Sequence, residues 1–466
     1  MHRTLPLFAL GASLAFAQAP PAAQAPVPAA LRNYPNVTAD RLKNPDSNSW
    51  LMIRRTYDGQ GFSPLNQIST SNVTKLRPVW VFATGESRVH ESAPLVNGGV
   101  MFISTPNNQV IAIDVKTGNQ LWRYRRPRPQ GAIVAHDTSR GVALYEDMVY
   151  FAAGEAVLVA LNAKTGQEVW TSKVAENDSA YYISLAPLVA DGKVMVGASG
   201  GEFGIRGFVA AFDAKTGKEA WRTYTIPAPG EPGSETWPKG GDQWKTGGGS
   251  VWVTGNYDQA TNIAYWGVGN GGPWMGDKRP GDNLYTSSTI ALDVATGKIK
   301  GHFQSPPNDS WDWDEVSPPI LVDYKRNGRD VKGLVNFARD GYVRFLERKN
   351  DGSIGFVDGK AFVFQNVFKG LDAKTGRPDV DPAHKPGSGK TVEFCPSLWG
   401  GKNWPPVAFS PKTRMIYIPA NENLCTSITA VPAIKYAAGQ RYTGAQGTLN
   451  PARTGGAGHP ADIEVE

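Results

Sequence analysis

Short runs in which apolar and polar residues alternate recur along this chain. Four of them share one ending: Ala112-Ile-Asp114-Val-Lys-Thr117-Gly118, Ala160-Leu-Asn162-Ala-Lys-Thr165-Gly166, Ala211-Phe-Asp213-Ala-Lys-Thr216-Gly217 and Ala291-Leu-Asp293-Val-Ala-Thr296-Gly297. Alternation with a period of two predicts strands. The Asp-x-x-Thr-Gly string predicts a tight turn, because glycine supplies a positive φ and the acid or amide side chain bonds the backbone. A second strand follows the first three copies and ends at Trp122, Trp170 or Trp221, so each unit reads as a hairpin. Asp114, Asn162 and Asp213 lie roughly 50 residues apart, room for about four short strands per unit. No segment sustains a 3.6-residue apolar period over the roughly 10 residues a helix needs. An all-β propeller is therefore expected, with a tryptophan at a fixed place packing between blades that cannot bury their own faces alone.

Composition changes this picture little. The chain has 466 residues, 41% hydrophobic and 10% aromatic, with 52 glycines and 35 prolines, an ordinary all-β makeup. Its net charge of +6 is scattered, which excludes a nucleic-acid footprint. The densest basic stretch, Arg123, Arg125, Arg126 and Arg128, reads as a solvated loop. Residues 1–25 read as a secretory signal: His2 and Arg3, an apolar run from Leu5 to Ala17, then small-residue sites. That run is too short to span a bilayer convincingly, so no stable membrane insertion is expected. No cysteine follows it, which argues against a lipid anchor. The two cysteines, Cys395 and Cys425, lack metal-ligand spacing, and in an oxidising compartment they most simply pair. Residues 26–44 read as a flexible Pro/Ala-rich lead-in and 45–466 as the propeller domain.

Candidate chemistry lies between the repeats. Trp311-Asp312-Trp313-Asp314-Glu315 puts three carboxylates within four positions, costly to bury without a cation or a proton. An acidic surface loop is the plain alternative. In an extended segment, however, Asp312 and Asp314 point the same way and both can reach one ion, and hard cations take oxygen ligands. Ser199-Gly-Gly201-Glu202-Phe-Gly204-Ile-Arg206-Gly207 allows close backbone approach beside one acid. Gly247-Gly-Gly249-Ser250-Val-Trp252 can lay an indole under a flat ligand, and Asn270 offers a neutral oxygen to a metal. Each of these strings alone is more often turn chemistry.

Together the repeats and strings resemble the pyrroloquinoline quinone (PQQ)-dependent alcohol dehydrogenases of the methanol and ethanol dehydrogenase type, over essentially residues 45–436. The motifs stand in family order: Val89-His-Glu91-Ser-Ala-Pro94, Ser139-Arg140-Gly141, Ser199 to Gly207, Ser250 to Trp252, Gly269-Asn270, Trp311-Asp312, Phe337-Ala-Arg339-Asp-Gly341, and Cys395-Pro-Ser to Gly400-Gly-Lys402-Asn403-Trp404. The resemblance implies that Glu202, Asn270 and Asp312 hold a metal beside the quinone and that Trp252 is the floor under its rings. It implies that Glu91, Arg140, Ser184, Ser199, Ser250, Arg339 and Asn403 hold the quinone's carboxylates and carbonyls, Ser184 standing where relatives often have threonine. Asp312 is the implied catalytic base, taking the alcohol proton as hydride leaves the substrate carbon. Asp314 matches the second aspartate of the lanthanide-type enzymes, where calcium types carry a small uncharged residue. A lanthanide ion is therefore expected, with Ca²⁺ the alternative and Asp314 as the further ligand. A small primary alcohol as substrate, a c-type cytochrome as electron acceptor and a periplasmic location are implied as well, and a homodimer is left open.

Two departures stand out. Where many relatives carry adjacent cysteines just before the Arg-Gly pair, this chain has Val134-Ala135-His136-Asp137, so the lid on that face differs. Relatives are eight-bladed and continue beyond the point matching Glu466, whereas the strand pattern here stops near Tyr436. A C-terminally incomplete propeller of about six blades is expected. Two other readings compete: a non-enzymatic envelope scaffold, since such propellers share the Trp-terminated repeat, and a truncated inactive homologue. A scaffold has no reason to place Glu202, Asn270, Asp312 and Asp314 beside Trp252.

Overall fold

A computed structural model describes residues 26–326 and 328–451, so the expected signal segment lies outside the described residues. Leu95–Asn97, Val100–Thr105, Gln109–Asp114 and Gln120–Arg125 form a four-stranded antiparallel sheet in which neighbours in sequence are neighbours in space. The same order recurs over 143–173, 188–224 and 256–304. A fifth such sheet joins Ile320–Leu321, Gly333–Phe337, Tyr342–Arg348 and Ile354–Ala361. The β-propeller expectation is met by these mostly β, four-stranded units.

Each repeated turn forms as its sequence dictates. Asp213 Oδ1 accepts from the backbone N–H groups of Lys215 and Thr216 at 3.1 and 2.8 Å and from the Thr216 hydroxyl at 2.8 Å. The ladder slips by one residue at the same alanine of each repeat, after Ala112, Ala160, Ala211 and Ala291. Such a bulge sharpens the local twist. The tryptophans do not end their strands: Trp122 is the third residue of Gln120–Arg125, and three more residues pair beyond it.

Between sheets the tryptophans dock as expected. Nε1 of Trp122 donates to the Ala163 carbonyl at 2.9 Å, that of Trp170 to Ala214 at 3.3 Å and that of Trp221 to Val294 at 2.9 Å. Each indole lies on the turn glycine of the next sheet: a Cβ on Gly166, Gly217 or Gly297 would fall 2.6 Å from it. Trp80, outside the four repeats, makes the same contact, donating to Val115 at 3.0 Å above Gly118. A further turn, Asp372 to Gly376, has the repeat's hydrogen bonds but receives Phe356 in place of tryptophan.

Three stretches differ from expectation. The lead-in packs instead of hanging free: Leu31, Tyr34, Val37 and Leu42 are buried in the main core, and Val37 bridges to Glu146. The strand pattern does not stop near Tyr436, because Ala445–Pro451 pairs along Leu424–Ala430. That strand is built by main-chain bonds on a Gly- and Thr-containing sequence with little alternation, so side-chain periodicity misses it. The 311–315 segment is also not simply extended. Asp312 has φ +66°, and buried Asp309 Oδ1 accepts from the backbone N–H groups of Trp311 and Trp313 at 3.3 and 3.2 Å. The chain thus curls around Asp309, both indoles stack inward with centroids 5.0 Å apart, and the two aspartates are left on the other side. Cys395 and Cys425 are joined by a disulfide, as expected.

Candidate active site

The fold brings the predicted residues onto one connected surface. Glu91 lies after the exposed 87–90 stretch and Arg140 on the segment entering the 143–173 sheet; their carboxylate and guanidinium meet at 2.8 Å. Arg140 NH1 donates to Ser184 Oγ at 2.7 Å, and Ser184 Oγ shares a hydrogen bond with Ser199 Oγ at 3.2 Å. Arg140 is buried, and burial pulls its guanidinium below its ordinary pKa, with Glu91 opposing. Its Cζ lies 4.7 Å from the ring centroid of Trp252 and 4.8 Å from that of Trp404. Trp252 is half-buried and carries a second guanidinium near it, Arg339, at 5.7 Å.

Arg339 closes the other end. It donates to the Asp312 carbonyl at 2.9 Å and to Asn403 Oδ1 at 3.1 Å, and it pairs with Asp314 Oδ2 at 3.3 Å. Asp340, its neighbour, is instead locked away with Arg344, both fully buried. Asp314 accepts from Trp252 Nε1 at 3.0 Å and from the Asn270 backbone N–H at 2.7 Å. Asn270 Nδ2 in turn donates to Asp312 Oδ1 at 3.0 Å.

Ser250 and Glu202 complete the set. A Cβ on Gly269 would fall 2.4 Å from Asp314 Oδ1 and 2.7 Å from Ser250 Oγ, so only glycine lets the chain pass beneath those oxygens. Glu202 is half-buried and makes no side-chain hydrogen bond with the other acids; its backbone carbonyl receives the Tyr442 N–H at 2.6 Å. Among the described residues no three His, Cys, Asp or Glu side chains already close on one point as ligands.

Two further groups belong here that the sequence reading does not single out. Trp404 stands in a quoted motif, and only its contact with Arg140 gives it a place in the site. Tyr182 is buried two residues before Ser184, and its backbone carbonyl accepts the Ser199 N–H at 2.8 Å. Burial pushes its phenol well up, and after burial the Glu202 charge contributes most.

The electrostatics of the acids favours a cation among them. Burial holds the Asp312 carboxyl well above the usual carboxylate range, and the charges of Asp314 and Glu202 push it further, with Arg339 opposing. A cation among these oxygens reverses that repulsion, and an all-oxygen donor set suits a hard ion. The Nε atoms of Arg140 and Arg339 are buried without a partner, donors that a ligand's carboxylates and carbonyls would satisfy. The residues therefore fit a flat, anionic cofactor over Trp252 and a cation at Glu202, Asn270, Asp312 and Asp314.

Two arginines, an indole and clustered acids thus stand together on a tryptophan-docked propeller. The chain belongs to the glucose/ethanol/alcohol dehydrogenase β-propeller family of PQQ proteins, whose model matches residues 50–358. It is 40% identical over 391 residues to the quinoprotein alcohol dehydrogenase PedH of Pseudomonas putida, covering 78% of this chain and 64% of PedH. It is 36% identical over 426 residues to the lanthanide-dependent methanol dehydrogenase of Methylacidiphilum fumariolicum, covering 86% of this chain and 69% of that protein. A solved europium-containing methanol dehydrogenase superposes with a TM-score of 0.84 at 35% identity, covering 89% of this chain and 75% of that one. The chain spans less than two-thirds of PedH and 59% of the quinohemoprotein alcohol dehydrogenase of Comamonas testosteroni. Among the described residues no helix is long and apolar enough to cross a membrane.

Proposed function

We propose that this chain carries the catalytic propeller of a periplasmic, PQQ- and metal-dependent alcohol dehydrogenase that oxidises primary alcohols to aldehydes and passes electrons to a c-type cytochrome. The observation that carries this reading is the joining of Asp312, Asn270, Asp314 and Trp252 by consecutive hydrogen bonds, with two guanidiniums, of Arg140 and Arg339, near the indole ring. Residues 45–466 are read as one propeller domain preceded by an export signal. Relatives named for lanthanide and europium support a lanthanide ion, Asp314 adding a third carboxylate to Glu202 and Asp312.

Bound, the quinone supplies a hydride acceptor whose carbonyl the cation polarises. Trp252 offers the flat apolar face on which such a ring rests, while Arg140 and Arg339 neutralise carboxylates at its rim. Ser184, Ser199, Ser250 and Asn403 add neutral polar contacts that fix orientation, and Glu91 holds Arg140 in place. Asp312 would take the alcohol's hydroxyl proton as the hydride leaves the carbon, so the alcohol is divided into the aldehyde, one proton held by Asp312 and one hydride, which carries the second hydrogen and both electrons to the acceptor. Its carboxylate must be ionised to do so, which ties its action to the cation that stabilises that charge. Asn270 orients it by donating its side-chain N–H to Oδ1.

Titration of the purified chain with PQQ while tryptophan fluorescence is followed tests the reading. Saturable quenching that is lost in Trp252→Phe supports it. Quenching that is unsaturable, or unchanged in Trp252→Phe, counts against it.

A further inference from the structure

The segment that departs from the family pattern, Val134 to Asp137, ends in an acid with an unusual set of partners. Asp137 Oδ1 and Oδ2 take Arg128 NH2 and NH1 at 2.7 and 3.2 Å, a bidentate pair. The same carboxylate also meets the Arg88 guanidinium and accepts the Asn107 backbone N–H at 3.3 Å. One side chain, 15% exposed, therefore ties three separate segments.

Two of those segments run on side by side into the site. Thr138 Oγ1 donates to the Val89 carbonyl at 3.4 Å, Ser139 Oγ and Ser92 Oγ meet through Ser104 Oγ at 2.7 and 3.2 Å, and Ala93 N–H donates to the Arg140 carbonyl at 3.4 Å. Arg88 stands three residues before Glu91, and Asp137 three before Arg140. The Arg88–Asp137 contact is thus the first rung of a ladder whose last rungs set Glu91 against Arg140. Asn177 pins the middle of the loop, bonding Ile133 through both its amide N–H and its carbonyl at 2.8 Å.

We infer that Asp137 is a positioning residue: an ionic clasp with Arg88 and Arg128 that holds the 128–139 loop and, through it, the Glu91–Arg140 pair in register for an anionic ligand. This rests on the quinone-binding reading for its second half only. The clasp acts without a covalent link, so salt weakens it. Arg88 is 57% exposed and open to screening, whereas Arg128 is 18% exposed and less so.

The test uses the full chain, with Asp137→Asn, Arg88→Gln and Asp137→Glu. In ligand-free protein, hydrogen exchange over residues 128–139 is expected to quicken by about ten-fold in Asp137→Asn, by less in Arg88→Gln, and to recover in Asp137→Glu. PQQ is expected to dissociate about five-fold faster from Asp137→Asn at low salt, the gap to wild type narrowing below about two-fold in 0.5 M NaCl. Unchanged exchange in Asp137→Asn overturns the clasp. Faster exchange with unchanged PQQ dissociation, or a dissociation gap that salt does not narrow, overturns its link to the site. If wild-type protein binds no PQQ, the functional reading fails, and the exchange arm alone decides the clasp.

Discussion

Trp252 donates its indole N–H to Asp314 Oδ2 at 3.0 Å, so the aromatic floor and the second acid of the 311–315 segment are held as one unit. The other oxygen of Asp314 caps the Asn270 backbone. Asp314 therefore does two things: it fixes the indole and adds a negative charge beside Asp312. Attraction of that charge to a trivalent ion exceeds its attraction to a divalent one by half.

Asp314→Ala is therefore expected to weaken La³⁺ binding by about ten-fold or more, and Ca²⁺ binding by clearly less. Metal titration followed by tryptophan fluorescence or calorimetry measures both. Equal losses for the two ions count against a charge-selective role.

The docking contact makes a separate prediction about stability. A methyl group on Gly166 falls 2.6 Å from the Trp122 ring, and the backbone there has φ +70°. Gly166→Ala is expected to cost about 1–3 kcal/mol through overpacking and backbone strain. Denaturant unfolding gives the value; a change under about 0.5 kcal/mol contradicts the docking account.

Asp309 predicts a pH effect. Its carboxyl is pushed up to about 6, chiefly by burial, with Arg279 opposing. The folded state thus holds the proton more tightly than the unfolded chain does. Stability from this group is fully present below the unfolded value of 3.8 and is lost as pH rises through about 6. Asp309→Asn keeps an acceptor for the Trp311 and Trp313 N–H groups but does not titrate. Between pH 4 and 7 its stability relative to wild type should rise by about 1–3 kcal/mol, read from chemical denaturation across pH. A constant difference contradicts the assignment.

The repeated turns, the docking tryptophans and the disulfide were legible because each rests on local chemistry: an acid or amide, a glycine at positive φ, an indole at fixed spacing. The order of Glu91, Arg140, Ser184, Ser199, Glu202, Ser250, Trp252, Asn270, Asp312, Asp314, Arg339 and Asn403 was legible through family motifs, and the structure gathers them on one surface. What pattern reading misses has a common cause. Ala445–Pro451 pairs through its backbone, the left-handed turn at Asp312 follows from the buried carboxylate of Asp309, and Tyr182 and Trp404 enter the site only through contacts across the chain. The lead-in composition suggests freedom, but four apolar side chains in it find the core.

The central claim is that Asp312 works as a base beside PQQ and a cation. The most direct measurement is alcohol-dependent dye reduction by metal-stripped chain reconstituted with PQQ and La³⁺, PQQ and Ca²⁺, or PQQ and chelator, in wild type and Asp312→Asn. The account predicts turnover with La³⁺, none with chelator, and a loss of at least about 10²-fold in Asp312→Asn with PQQ binding retained. Turnover that survives in Asp312→Asn, or PQQ that binds in the presence of La³⁺ without any alcohol-dependent reduction, would contradict it.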